Sequence, residues 1–459
     1  LTPPSHQGPS ADDGPLASLR ARAGVVPFVD RPELEQLLAW ATAPDAAQPG
    51  AVDQPGQVDQ PGAVRIAVVE GVGGCGKTRL AAEVAARLAG DGWHTGFLTG
   101  VGADPAGLLA DGGVPVLVVV DAVESIDTAV VLGLVGALTG RSGRTVLLLT
   151  ARARGGWWDA LRSGLRAGGH VAAVRTPMVL PAQHPDPAAL SAAAHRALSG
   201  DLSADDLSAD DLSADDLAAD RPALDADGVW TALDLVLLAW GATAVGSPLP
   251  ADRAGRYDAV VDQELRHWAT TIAAHPGGLT ERSLRTAAAC VSLLSPTEQH
   301  LAEVLTRVDL AERTGDAPTE IAKALAVLLR APDGRLRLLP EPVADHLILT
   351  VFPADPDLYA ACVASVPAAG TGVAGTAPAV LLDVTQKEAV SNSVEAADSV
   401  LAALRRVGPV HGKRVRHAGF VVLKSPDREG EIIARALQDH VKQQLAPFKY
   451  PRWFEFRRD

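Results

Sequence analysis

Cysteine is scarce in this chain. Cys75, Cys290 and Cys362 are the only three among 459 residues, too few and too scattered for a disulfide framework or a zinc ribbon. Long apolar runs are missing as well. The longest, Val116 to Val120 and the glycine-interrupted Ala129 to Leu138, fall short of the roughly 18 residues that a membrane span requires. Positive charge is in deficit. With 41 Lys and Arg against 55 Asp and Glu, the formal charge is -14, which provides no cationic footprint for nucleic acid or an anionic membrane. The opening residues, Leu1 to Ser5, carry neither an initiator Met nor the basic-then-apolar pattern of a signal peptide. These absences point to a cytoplasmic chain in a reducing compartment, and the missing Met to a fragment.

What is present argues for a folding protein: 47% hydrophobic and 21% charged residues sit near the globular average. The length calls for two to four domains at roughly 100 to 200 residues each. Two repeats punctuate the chain. Pro49 to Gly62 repeats a Pro-Gly-containing hexapeptide and reads as a linker. Leu202 to Asp216 repeats Leu-Ser-Ala-Asp-Asp, and the stretch Asp201 to Asp220 holds eight Asp and no base. A period of five matches neither the helical nor the strand repeat, so no single apolar face forms and a solvated insertion is expected. A calcium loop would need a Gly and a terminal Glu that the run lacks.

Between the repeats, short β runs alternate with helices: strand Arg65 to Glu70, helix Lys77 to Leu88, strand Val114 to Val120, helix Ile126 to Leu138 and strand Thr145 to Thr150. That order predicts an α/β fold with a parallel sheet. From Val229 to Ile348 helical periodicity takes over, as in Tyr257 to Ala274 and Pro296 to Val308. Lysine usage then shifts, with only Lys77 and Lys323 before residue 387 and five lysines from Lys387 onward. The implied division is 1–63 as an N-terminal segment and linker, 64–180 as the sheet core, 181–228 as the acidic insertion and 229–352 as a helical domain. A linker at 353–380, then small tail pieces at 381–427 and 428–459, complete it.

The chemistry concentrates at Gly71-Val72-Gly73-Gly74-Cys75-Gly76-Lys77-Thr78, a full G-x-x-x-x-G-K-T between an apolar strand and a helix. In such a loop Gly71, Gly73, Gly74 and Gly76 let successive N–H groups and the helix N-terminus face phosphate, and Lys77 opposes the β- and γ-oxygens. Thr78 ligates magnesium, and ATP with Mg2+ is the expected cofactor pair. Val116 to Val120 ends in Asp121, a second magnesium-holding carboxylate. Glu124 is a candidate to orient the attacking water, or a favourable partner for a helix dipole. The next strand runs into Arg152, a γ-phosphate sensor candidate at the carboxyl edge of the sheet, with Arg154 as the substitute.

These residues resemble the STAND-class P-loop NTPases, regulatory ATPases related to apoptotic and plant-immunity switches. Val26-Pro27-Phe28-Val29-Asp30-Arg31 is similar to that family's adenine-side F-x-G-R, which makes Arg31 a nucleotide contact by resemblance, with Asp30 in place of the usual Gly. Val120 to Ser125 is similar to its D-Y-A-E-T, and Leu149 to Arg152 is followed by Trp157-Trp158 as in the family. Gly246-Ser247-Pro248-Leu249-Pro250 loosely echoes its G-x-P element. Glu264 to Trp268 and Leu339 to Leu347 look like the helical modules that follow the core. The resemblance spans about residues 20 to 352 and implies a slowly hydrolysing ATP switch. A protein partner or self-association stays open.

The tail resembles other families. Leu381 to Asp427 is similar to an internal piece of zinc-dependent N-acetylmuramoyl-L-alanine amidases, without that family's catalytic Glu or upstream metal ligands. Glu431 to Phe456 is similar to the C-terminal subdomain of benzoate-CoA ligase-type adenylate-forming enzymes, and stops before their T-G-K lysine. The tail thus reads either as two inactive pieces on a chimeric chain that binds nucleotide without coherent output, or as a small docking subdomain.

Overall fold

The computed structural model describes residues 15–43, 63–98, 113–154, 156–168, 172–199, 230–245, 248–250, 252–272, 279–329, 331 and 335–365. Both repeats, Gly246, Ser247 and the two tail pieces lie outside these residues. The sheet half begins with α1 (Pro32–Thr42) and continues β1 (Val64–Glu70), α2 (Lys77–Gly90), β2 (His94–Phe97), β3 (Val116–Val120), α3 (Thr128–Leu138), β4 (Thr145–Ala151), α4 (Gly156–Ala167), β5 (Ala172–Val174) and β6 (Met178–Val179). The expected alternation is there, with shifted ends. For instance, α3 starts two residues later than periodicity suggests, because the Asp127 carboxylate accepts from Ala129 N at 2.9 Å and caps the helix there.

All strand pairs are parallel, in the order β2-β3-β4-β1-β5, with β6 also on β1. The outer strand is split into β5 and β6 around Pro177, whose ring lacks the N–H a ladder needs. Successive side chains serve opposite faces. Ala67, Val69, Leu117, Val119, Val146 and Leu148 pack under α1 and α2, while Val64, Ile66, Val68, Val116, Val118, Leu147 and Leu149 pack under α3 and α4. Because both faces are covered, β1, β3 and β4 are mainly apolar and every residue in them is buried. Arg65, like Glu70, is a polar exception in β1. Its guanidinium donates to the carbonyls of Trp40 (3.2 Å) and Ala43 (2.9 Å), closing the C-terminus of α1.

The second half is helical: α5 (Pro187–Ser199), α6 (Ala232–Trp240) with a π turn at Gly241–Val245, α7 (Arg253–Ile272), α8 (Glu281–Leu294), α9 (Glu298–Arg307), α10 (Leu310–Thr314), α11 (Pro318–Leu328), α12 (Glu341–Ala354) and α13 (Pro356–Ser365). Nearly every residue of α8 from Ala287 to Leu294 is buried, making it the central helix of one large core shared with α7, α9, α11 and α12. Leu16 and Leu19, from a 3-10 turn at Pro15–Leu19, belong to this same core. There the buried Glu264 carboxylate accepts from Leu16 N (3.1 Å) and Trp268 Nε1 (2.9 Å). Cys75, Cys290 and Cys362 are all buried free thiols. No helix among the described residues is long and apolar enough to cross a membrane.

Candidate functional site

The strand order places β4 between β1 and β3, so the turns leaving these three strands converge at one edge of the sheet. The first turn is the glycine loop. Gly71 N donates to Ala151 O at 3.2 Å, stitching the loop to the end of β4. A Cβ on Gly71 would lie 2.7 Å from Cys75 Sγ and 3.1 Å from Leu180 O, so only glycine closes this turn. Gly74 has φ of +81°, and a Cβ there would stand 2.9 Å from Thr231 Oγ1. The tightness comes from the helical half: Leu233 N, at the start of α6, donates to Gly74 O at 3.0 Å. Gly76 precedes α2, whose first turn has no side-chain cap and no acidic residue. Its amide dipoles are therefore left for an anion.

Under the loop, Thr78 Oγ1 donates to Asp121 at 3.0 Å, and Thr150 Oγ1 donates to the same carboxylate at 2.5 Å. Burial foremost, with the negative field of Glu341, raises the Asp121 carboxyl above its ordinary value, against the hydrogen bonds of Thr150 and Thr78 and the charge of Lys77. The chain then turns through Ala122, a non-glycine residue in the left-handed region at φ 50°, ψ 52°. That conformation costs about 1–2 kcal/mol, and a hydrogen bond from Ala122 N to Thr150 Oγ1 (3.0 Å) secures it. The turn brings Glu124 back to the end of β4, where Oε1 accepts from Arg152 N at 2.9 Å. Glu124 Oε2 is buried with no hydrogen-bond partner among the described residues. Burial pushes this carboxyl up to about 7, with Glu341 adding to the effect.

Lys77 Nζ donates to the carbonyls of Gly71 (2.7 Å) and Val72 (2.9 Å), bridging its own loop. Arg31, nine-tenths buried or more, donates from Nη1 to Cys75 O at 3.1 Å and from Nε to Glu33 at 2.9 Å. Its Nη2 has no partner among the described residues. Arg152 is brought to the same edge but its guanidinium is engaged: Nη2 meets Glu341 Oε2 at 2.8 Å and Nη1 meets Asp345 Oδ2 at 3.1 Å, both from α12. Arg154 turns instead to Glu70, at 2.6 Å. Sequence reasoning thus gathers Gly71 to Thr78, Asp121, Glu124, Arg152 and Arg31 at one place. It misses Thr150 as the second hydroxyl on Asp121, and Glu341 and Asp345 as site carboxylates. A Thr one residue before the end of a buried strand is a usable signal for the first. The other two had none, because they arrive from 189 residues away in the case of Glu341.

The donor set fits a nucleotide phosphate with magnesium: an uncapped helix N-terminus, a loop that has no room for a Cβ at Gly71 or Gly74, a hydroxyl–carboxylate pair and a buried guanidinium nitrogen without a partner among the described residues. Together with the strand order, this gives the sheet half a parallel α/β core whose loop edge is built to receive phosphate.

No family model matches the chain. A stretch of 42 residues, 9% of the chain, is 48% identical to a benzoate–CoA ligase of Thauera aromatica and spans only 8% of that enzyme's length. Among solved structures, the chain is similar to the Aeropyrum pernix ORC1 protein in complex with DNA, at 12% identity over 72% of this chain and 95% of that one, with a TM-score of 0.28. A RuvB from Thermotoga maritima matches at 16% over 69% and 96%, with a TM-score of 0.27. The Aeropyrum pernix ORC2 protein in its ADPNP-ADP complexes matches at 13% over 83% and 96%, with 0.29. The strand order and the loop, rather than these similarities, define the fold.

Proposed function

We propose that the chain is an ATP-binding, slowly hydrolysing switch of the STAND kind, whose helical half responds to the phosphate state of the sheet half. One observation carries the reading: the Thr78–Asp121 hydrogen bond lies beneath the glycine loop, with Glu124 at the same strand edge. In this reading the loop amides and the first turn of α2 receive the phosphates, and Lys77 exchanges its two loop carbonyls for phosphate oxygens. Thr78 and Asp121 would hold magnesium, whose chemistry there would be to neutralise phosphate charge. Glu124, with a carboxyl near 7 and one oxygen unpartnered, is suited to take a proton from a water at neutral pH. Arg31 braces the loop through Cys75 O and offers Nη2 on the nucleotide side. The buried free thiols suit a reducing, cytoplasmic setting.

Calorimetry of the full chain with Mg-ATP tests the core of this. Binding is expected in the unaltered protein, and Lys77→Ala is expected to weaken it by at least about a hundredfold, the cost of removing a charge-assisted contact of about 3 kcal/mol. Equal affinity in the two proteins removes the P-loop assignment. A second reading concerns the tail alone. The 42-residue similarity to a benzoate–CoA ligase supports a chain that carries a piece of an acyl-CoA ligase, spanning 8% of that enzyme's length.

A further inference from the structure

Helix α12 enters the phosphate site at its first residue. Glu341 is held by Arg152 Nη2 at 2.8 Å, and the next residue, Pro342, lies against the loop so closely that a Cβ on Gly73 would stand 3.3 Å from its Cγ. One turn further along α12, Asp345 takes the other arm of the same guanidinium at 3.1 Å. Burial works to raise the Glu341 carboxyl, yet Arg152 foremost, then Arg337 and Lys77, hold it below its usual range. Glu341 in turn raises Asp121 and Glu124. The carboxylate therefore shares one electrostatic field with the loop lysine, the magnesium-side aspartate and the arginine at the strand edge.

We propose that Glu341 is the residue that sets the site's choice between nucleoside di- and triphosphates, by standing as an anion among the cations that a terminal phosphate would have to engage. The inference rests on the nucleotide reading above. A diphosphate has no third phosphoryl group, so it leaves the Arg152 pair with Glu341 and Asp345 intact. A triphosphate adds negative charge beside Lys77 and Arg152, where it meets Glu341 as a competitor for both cations and as a like charge. Full engagement of the terminal phosphate then requires α12 to give up Arg152, and with it the contact of Pro342 on Gly73. The closed arrangement consequently favours the diphosphate.

The test compares Mg-ADP with Mg-ATP by calorimetry on the full chain, for the unaltered protein, Glu341→Gln, Asp345→Asn and Lys77→Ala, with thermal melts as the control for folding. The unaltered chain is expected to bind ADP more tightly than ATP. Glu341→Gln, which keeps the shape and removes the charge, is expected to strengthen ATP binding about tenfold and ADP binding less than twofold. Asp345→Asn moves the same ratio in the same direction by a smaller factor, and serves alone should Glu341→Gln fail to fold. An ADP-to-ATP ratio unchanged in both variants, alongside binding that Lys77→Ala abolishes, overturns the Glu341 proposal alone. Nucleotide binding that is absent, or indifferent to Lys77, overturns it together with the P-loop reading.

Discussion

The two oxygens of Glu124 meet different surroundings. One accepts the Arg152 amide and the other is buried without a partner among the described residues, so ionising the group places charge where little solvates it. Its carboxyl titrates at about 7 in the folded chain against an ordinary 4.5. Between these values the folded state keeps a proton that the unfolded state has released. Stability from the neutral carboxyl is thus fully present below pH 4.5 and is lost as pH rises through 7. In nucleotide-free protein, Glu124→Gln should remove this loss, and its stability relative to the unaltered chain should grow by up to about 3 kcal/mol over that window. Urea denaturation at pH 5 and pH 8 measures the difference. Parallel pH profiles for the two proteins would mean that the carboxyl is solvated.

At the scale of elements, α7 is anchored by one carboxylate. Glu264→Ala leaves Leu16 N and Trp268 Nε1 without their buried acceptor, so a loss of about 2–4 kcal/mol is expected from the unsatisfied donors and the vacated volume. Chemical denaturation followed by tryptophan fluorescence reads it, and a change under about 0.5 kcal/mol, the size usual for surface sites, would mean that the 3-10 turn at Pro15–Leu19 is not docked there. Elements differ in how openly the sequence announces them. Strands β1, β3 and β4 are legible because burial on both faces concentrates Val, Ile and Leu in them. The outer strands are not. β2 is His-Thr-Gly-Phe with its first residue exposed, and β5 is Ala-Ala-Val, half-buried. Each pairs on one side only, so neither needs a strong apolar signature. Helix α1 did carry one, with Pro32 in its first turn and Leu34, Leu37 and Ala41 buried at helical spacing. Reading 1–63 as a lead-in to the linker passes over it. At the site, the loop and Asp121 are legible because their chemistry is local in sequence. The Arg152–Glu341 pair is not, because only tertiary packing brings α12 onto the loop.

For the whole molecule, every group gathered at the phosphate edge among the described residues lies between Arg31 and Asp345. Removing residues 381–459 should therefore leave the Mg-ATP affinity within about twofold, the same calorimetric assay being the check, since the loop, magnesium-side and strand-edge groups all precede it in the chain. A large loss would draw the tail into the site. The N-terminal stretch has the opposite character. Leu16 and Leu19 complete the core of the helical half, while α1 a few residues later lies on the sheet. The partner of Leu16 N is 248 residues downstream. During synthesis, at about 5–20 residues per second, the turn at Pro15–Leu19 waits some 10–50 s on the ribosome before α7 exists to receive it. Through that interval the acceptor of Leu16 N does not yet exist, and the helical half cannot close until a segment made 248 residues earlier is retrieved.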